Sequence, residues 1–226
     1  LLFSPLLTRI YGPEAFGVLG AYTAVVNIVA PLATLGYANA VVIPTNDDQA
    51  LAVARLSMAS MFVVAPLSLL AIYLFQVQIA RWTGLEAAPG LLYLIPVSLV
   101  LMAFFSVASQ GAIREGLFDA KSQAHVGATL AVNGLKLGGG LVAASGLMLI
   151  AIEVAGRGLH TLALLARAPQ RGVLRVREWF GLEGIWRAAR EHRDFSLYRM
   201  PQSIINASAL GLPVILLSSL FGSNEA

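Results

Sequence analysis

Long uninterrupted apolar runs decide what this chain can become. Residues 16–43, 51–79, 91–113, 126–166 and 197–220 are each dominated by Leu, Val, Ala, Ile and Phe. About 20 such residues form a helix long enough to cross the hydrocarbon core of a bilayer. A membrane β-barrel would instead show segments of about ten residues with alternating apolar and polar positions. The chain is 58% hydrophobic and 12% charged, with a mean hydropathy of +0.76, whereas soluble domains average about 25% charged. The fold class this predicts is all-α, a polytopic transmembrane helical bundle.

The runs divide at recognisable signals. Residues 1–8 are apolar and end at Arg9, so they read as the tail of a first span that starts upstream. Residues 16–43 form a second span closed by Pro44-Thr45-Asn46-Asp47-Asp48. Residues 51–79 and 91–113 supply the third and fourth. Residues 126–166 are too long for one helix, and Ser145-Gly146 marks the break between a fifth and a sixth. With 197–220 as the last, about seven spans are expected, the first truncated. The organisation that follows is a bundle over 1–166, a basic loop over 167–196, and over 197–226 the truncated first helix of a second bundle.

Charge placement gives an orientation. Seven of the 15 Lys and Arg residues fall within 167–193. Taking the loops alternately, one side carries only Arg9 and Arg81, while the other carries Arg55, Arg114, Lys121 and the arginines of that loop. The positive-inside rule then places the loop 167–193 in the cytoplasm. A basic loop on a neutral apolar body points to membrane lipids as partners and away from nucleic acid. Val176, Trp179, Leu182 and Trp186 recur at helical spacing beside Arg187, Arg190 and Arg193, the pattern of an amphipathic surface helix. Gly181 and Gly184 count against that helix, and the simpler reading is an ordinary positive-inside anchor.

Polar residues at membrane depth carry the chemistry. Lys136 lies mid-way along the fifth span, with Asn133 one turn before it. Glu153 and Arg157 lie four residues apart in the sixth, on one helix face. Charges at the bilayer centre cost about 2.5–3.5 kcal/mol on insertion scales and usually face a bundle interior or a wet cavity. One reading is a cavity lined by Lys136 and Arg157, partly neutralised by Glu153, which suits an anionic ligand such as a pyrophosphate. The plainer one is an internal ion pair of Glu153 with Arg157 or with Lys136. Since Glu153 and Arg157 can satisfy each other, Lys136 is the stronger candidate for a ligand. Arg199, Gln202 and Asn206 share a face at the start of the last span, where Arg199 can also snorkel to the interface. Asn27 and Asn39 fit interhelical hydrogen bonding, and Gly134, Gly138, Gly139 and Gly140 fit close helix packing.

The chain has no cysteine. His125 and His160 stand isolated in the sequence, and His192 sits in the basic loop. No metal, cofactor or catalytic set is expected, and the chain does not read as an enzyme.

The stretch Pro5-Leu6-Leu7-Thr8-Arg9-Ile10-Tyr11-Gly12-Pro13-Glu14-Ala15-Phe16-Gly17 resembles the first periplasmic turn of oligosaccharide flippases. Residues 31–37 and 40–44 are similar to that family's second helix and its exit, although Gly36, Asn39 and Ala40 stand where the family often has Arg or Glu. Tyr198, Pro201, Asn206, Leu212-Pro213-Val214, Leu216-Leu217 and Phe221-Gly222 resemble its seventh helix.

The resemblance implies the N-terminal half of a transporter of the multidrug/oligosaccharidyl-lipid/polysaccharide superfamily, in a bacterial inner membrane. The function it implies is flipping undecaprenyl-pyrophosphate-linked repeat units for O-antigen, capsule or exopolysaccharide synthesis. Implied partners are the lipid-linked oligosaccharide, membrane lipids, and the polysaccharide polymerase and chain-length machinery. The cavity candidates are then Lys136, Arg157, Asn133, Arg199 and Asn206, with Glu153 for ion coupling. Alternatives are a multidrug or cation antiporter of the same superfamily, and a non-transport component or polymerase of polysaccharide assembly.

Overall fold

A computed structural model of the chain describes residues 3–83, 85–86, 88–169 and 171–221. Residues 1–2 of the expected first span, and Gly222 of the last matched stretch, lie outside them. Every regular element among the described residues is helical. The longer helices are α1 (Ser4–Val29), α2 (Asp47–Thr83), α3 (Leu94–Arg114), α4 (Phe118–Val142), α5 (Gly146–Arg167) and α7 (Met200–Phe221), with a short α6 (Ile185–Glu191).

The turn expected between the first two spans is a kink inside α1. Gly12 takes φ 73° and ψ 169° just before Pro13. That backbone favours glycine, and the position before a proline disfavours helix. Residues 4–11 thus continue into the following helix at a new angle.

The second expected span, 16–43, is interrupted. Its α-helix stops at Val29 and the chain unwinds into 3-10 turns at Ala30–Thr34 and Tyr37–Val42. Pro31 lacks the N–H that would continue the ladder. Leu35 and Gly36, with φ of 47° and 77°, turn the chain between the two pieces.

Other boundaries follow their local chemistry. The Asn46 side chain accepts a hydrogen bond from the Asp48 amide at 2.9 Å, and Asp47 and Asp48 occupy the first turn of α2, where negative charge suits the helix dipole. The break at Ser145-Gly146 is present, and Ser145 caps α5 by accepting from the Met148 amide.

Among the described residues, five helical stretches are long and apolar enough to cross a membrane: Pro5–Thr34, Asp47–Thr83, Pro89–Arg114, Gly146–Arg167 and Phe195–Leu217. This differs from the seven expected in two ways. The first two spans join across the Gly12 kink, and α4 falls short in apolarity although it is 25 residues long. Lys121, His125, Asn133, Lys136 and a run of glycines lower its hydropathy.

Helices α2, α3, α5 and α4 pack in that order, with α1 lying against α5 and α4, and α7 lying along α1. Tyr22 of α1 and Ser98 of α3 hydrogen-bond at 2.8 Å inside the core. Of the α4 glycines, Gly139 meets Met148 and Ile152 of α5, and Gly140 meets Ile10 and Tyr11 of α1. Gly134 and Gly138 have open space beside them, so only the first pair serves close packing.

The basic loop is neither a continuous amphipathic helix nor a loose anchor. It folds into turns at Gly172–Leu174 and Val176–Phe180 before α6. Trp179 is fully buried and donates from Nε1 to the Val173 carbonyl at 2.6 Å, whereas Trp186 is 89% exposed. Gly184, at φ 76°, breaks the helical period between them. Arg55, near one end of α2, donates from its guanidinium to the carbonyls of Glu178 and Glu183, at 2.9 and 3.3 Å, and Arg171 pairs with Glu115 at 3.3 Å. These contacts lash the loop to one end of the bundle, the basic end, where Arg114 also bonds Asp47 and the Pro44 carbonyl.

Candidate functional site

Helices α4 and α5 form a hairpin around residues 143–145, and each turns a polar stripe toward the other. Thr129, Val132, Asn133 and Lys136 line a cavity from one side, and Glu153, Gly156, Arg157 and His160 from the other. Both sets follow the i, i+3, i+4, i+7 spacing of a single helix face. The cavity measures about 220 Å³. Gly156 sets the distance between the helices, because a Cβ there would stand 2.7 Å from Val132 Cγ2.

Lys136 Nζ meets Glu153 Oε2 at 2.7 Å, with the two side chains 13% and 29% exposed. The Lys136 carbonyl accepts a hydrogen bond from the Tyr11 hydroxyl at 2.6 Å, tying the first part of α1 to the site. Asn133 donates back to the Thr129 carbonyl of its own helix.

The pairing inverts the sequence expectation. Glu153 pairs with Lys136 on the neighbouring helix rather than with Arg157 four residues on. Arg157 has no carboxylate within ion-pair distance among the described residues. Its Nη1 lies 2.6 Å from the Met102 thioether sulfur, a weak acceptor, and its buried Nε has no hydrogen-bond partner. Arg157 is therefore the cation of this cavity that has no charged partner among the described residues, whereas Lys136 is neutralised by Glu153.

The two histidines are not isolated. Their rings meet with centroids 5.0 Å apart and planes tilted by 36°, and His160 also meets Phe105 edge-on at 6.2 Å. Sequence reasoning missed this contact because 35 residues separate them, and only the docking of α4 on α5 brings them together. Among the described residues no group of three potential metal ligands gathers.

The remaining site candidates lie elsewhere. Arg199 lines a separate cavity at the basic end, and Asn206 is exposed on α7. Asn39 does bridge helical segments, accepting from Gln110 Nε2 at 3.2 Å. Asn27 lines another cavity without such a bond among those found.

Fold and cavity together define a polytopic α-helical membrane protein with a charged site sunk between two of its helices. Residues 6–226 match the family described as polysaccharide biosynthesis protein, and the chain belongs to that family. No curated protein and no solved structure matches it significantly. The family match covers the stretches that resemble oligosaccharide flippases except for Pro5.

Proposed function

We propose that this chain serves a flippase, moving lipid-linked oligosaccharide across a bacterial inner membrane for surface polysaccharide synthesis. The observation that carries the reading is Arg157, a cation in a membrane-crossing helix that lines a cavity and has no carboxylate partner among the described residues. Lys136, Arg157 and Glu153 together give that cavity a net single positive charge, which favours an anionic headgroup such as a pyrophosphate over a cationic drug. A flippase needs only to lower the cost of carrying a polar headgroup through hydrocarbon, so no bond in the substrate is made or broken. Its lipid tail stays in the bilayer while the headgroup occupies the cavity. Glu153 is the group through which an ion gradient would act here, since a proton on its carboxylate releases Lys136 to the ligand. The positive-inside rule sets the basic end in the cytoplasm, where lipid-linked precursors would be loaded. Polymerase and chain-length machinery would receive the product.

The test is export. The gene is expressed in a flippase-deficient bacterium supplied with the matching sugar-assembly cluster, and surface polysaccharide is measured for wild type and Arg157→Ala at equal protein levels. Export by wild type with loss in the variant is the expected result. No export by well-expressed wild type, with lipid-linked sugar accumulating at the cytoplasmic face, overturns the reading.

A further inference from the structure

A second, larger cavity opens at the basic end, where the unwound stretch after α1 meets the last turns of α3 and the π-turn Phe195–Arg199 that precedes α7. It measures about 520 Å³, and its polar lining is Asn39, Gln110, Asp194, Tyr198, Arg199 and Gln202. This chemistry is unlike that of the first cavity. Three carboxamides each offer donors and an acceptor, one carboxylate and one guanidinium bring opposite charges, and Tyr198 and Phe195 bring flat apolar faces.

That combination matches a polyhydroxylated ring. Adjacent sugar hydroxyls donate and accept at once, which carboxamides answer from one side chain, while the C–H face of the ring packs on an aromatic plane. A bare anion would meet Asp194 as well as Arg199, and an apolar ligand would answer none of the donors and acceptors that the amides still have free.

The cavity is also built rather than incidental. Gln110 and Asn39 are already hydrogen-bonded to each other across the segments that carry them, at 3.2 Å. Tyr198 is 71% exposed and belongs to the π-turn, an irregularity frequent at functional sites. The turn is seated against Gly36, where any Cβ would stand 2.8 Å from the Phe195 carbonyl oxygen.

A smaller cavity of about 220 Å³ lies beside the outer one, and Asn39 lines both. Met102, whose sulfur meets Arg157, also lines it, together with Asn27, Ser106 and Ser203. The Asn39 and Met102 side chains thus bring polar lining from the outer cavity to a residue in contact with Arg157.

We infer that the cavity of Asn39, Gln110, Tyr198 and Gln202 is the subsite for the sugar portion of the substrate, with the Arg157 cavity taking its phosphate portion; the inference rests on the flippase reading above. The test uses the protein expressed from its own complete gene, in nanodiscs, with two probes: a polyprenyl pyrophosphate, and lipid-linked oligosaccharide extracted from the source cells. Wild type is expected to bind the glycosylated probe at least about tenfold more tightly, the worth of one good hydrogen bond. Tyr198→Ala and Gln110→Ala each shrink that ratio while leaving the bare probe's affinity unchanged. Arg157→Gln weakens both probes and preserves the ratio. An unchanged ratio in the Tyr198 and Gln110 variants, or a wild-type ratio of one with the bare probe still bound, overturns the sugar subsite and leaves the flippase reading standing. Failure of both probes to bind wild type overturns both.

Discussion

Lys136 and Glu153 meet at 2.7 Å across the seam between α4 and α5, and the contact takes from Arg157 the one carboxylate that α5 carries. The pair closes one charge and leaves the other open, so the structural and the ligand-facing roles fall on different cations.

Removing one partner of the pair is therefore expected to destabilise the fold. Glu153→Gln leaves Lys136 with little water and no counter-charge. Breaking a fully buried pair costs about 3–5 kcal/mol, and with Glu153 partly exposed the expected loss is about 1–3 kcal/mol. The double variant Lys136→Met/Glu153→Leu should regain most of it. Thermal unfolding of wild type, Lys136→Met, Glu153→Leu and the double variant, taken as a double-mutant cycle, measures the coupling, and strictly additive effects would refute it.

Arg157→Gln behaves oppositely. The residue makes no ion pair among the described residues, so thermal stability should hold or rise. Pyrophosphate affinity should drop by about tenfold or more, since a hydrogen bond to a charged group contributes about 1.5–3 kcal/mol. Arg157→Lys should not restore binding fully, because an ammonium lacks the planar fork. Isothermal titration of the purified protein decides the point.

Gly156→Ala should wedge α4 from α5. The added methyl collides with Val132, and overpacking of this kind costs about 1–3 kcal/mol. Val132→Ala in the same protein should restore the melting temperature. A Gly156→Ala protein as stable as wild type would show that the helices can part freely.

The two tryptophans of the basic loop should differ sharply. Trp179→Ala removes a fully buried side chain and its bond to Val173, at about 3–5 kcal/mol, and should loosen the backbone around the already exposed arginines at 171, 175 and 177 enough for trypsin to cut there. Trp186→Ala, 89% exposed in the native chain, should leave both the melting temperature and the cleavage pattern unchanged. Limited proteolysis followed by mass spectrometry reads this directly.

What could be read from sequence was local chemistry. Ser145-Gly146 marked the break between α4 and α5, Pro44 to Asp48 marked the boundary before the next span, and the apolar runs announced a helical membrane bundle. The stop at Val29 was harder, because residues 16–43 stay apolar throughout and Pro31 is also compatible with a kinked span. For Glu153 the sequence offered two partners, Arg157 and Lys136, without choosing between them. An intrahelical pair at i, i+4 is worth only about 0.2–0.5 kcal/mol, so the docking of the neighbouring helix decides the outcome. The same gap hid the contact of His125 with His160. The spacing of Val176, Trp179, Leu182 and Trp186 suggested one helix, yet two glycines and the burial of Trp179 divide them between the core and the surface.

The modest hydropathy of α4 bears on how the protein is made. A lone helix carrying Lys121, His125 and Lys136 would be a poor passenger for the insertion machinery, which charges about 2.5–3.5 kcal/mol for a lysine near the bilayer centre. Once the turn at 143–145 has emerged, Glu153 stands opposite Lys136 and cancels its charge. The unit that enters the lipid is then the hairpin of α4 and α5 together, so a ribosome that stalls before residue 153 leaves α4 waiting at the membrane surface for its partner.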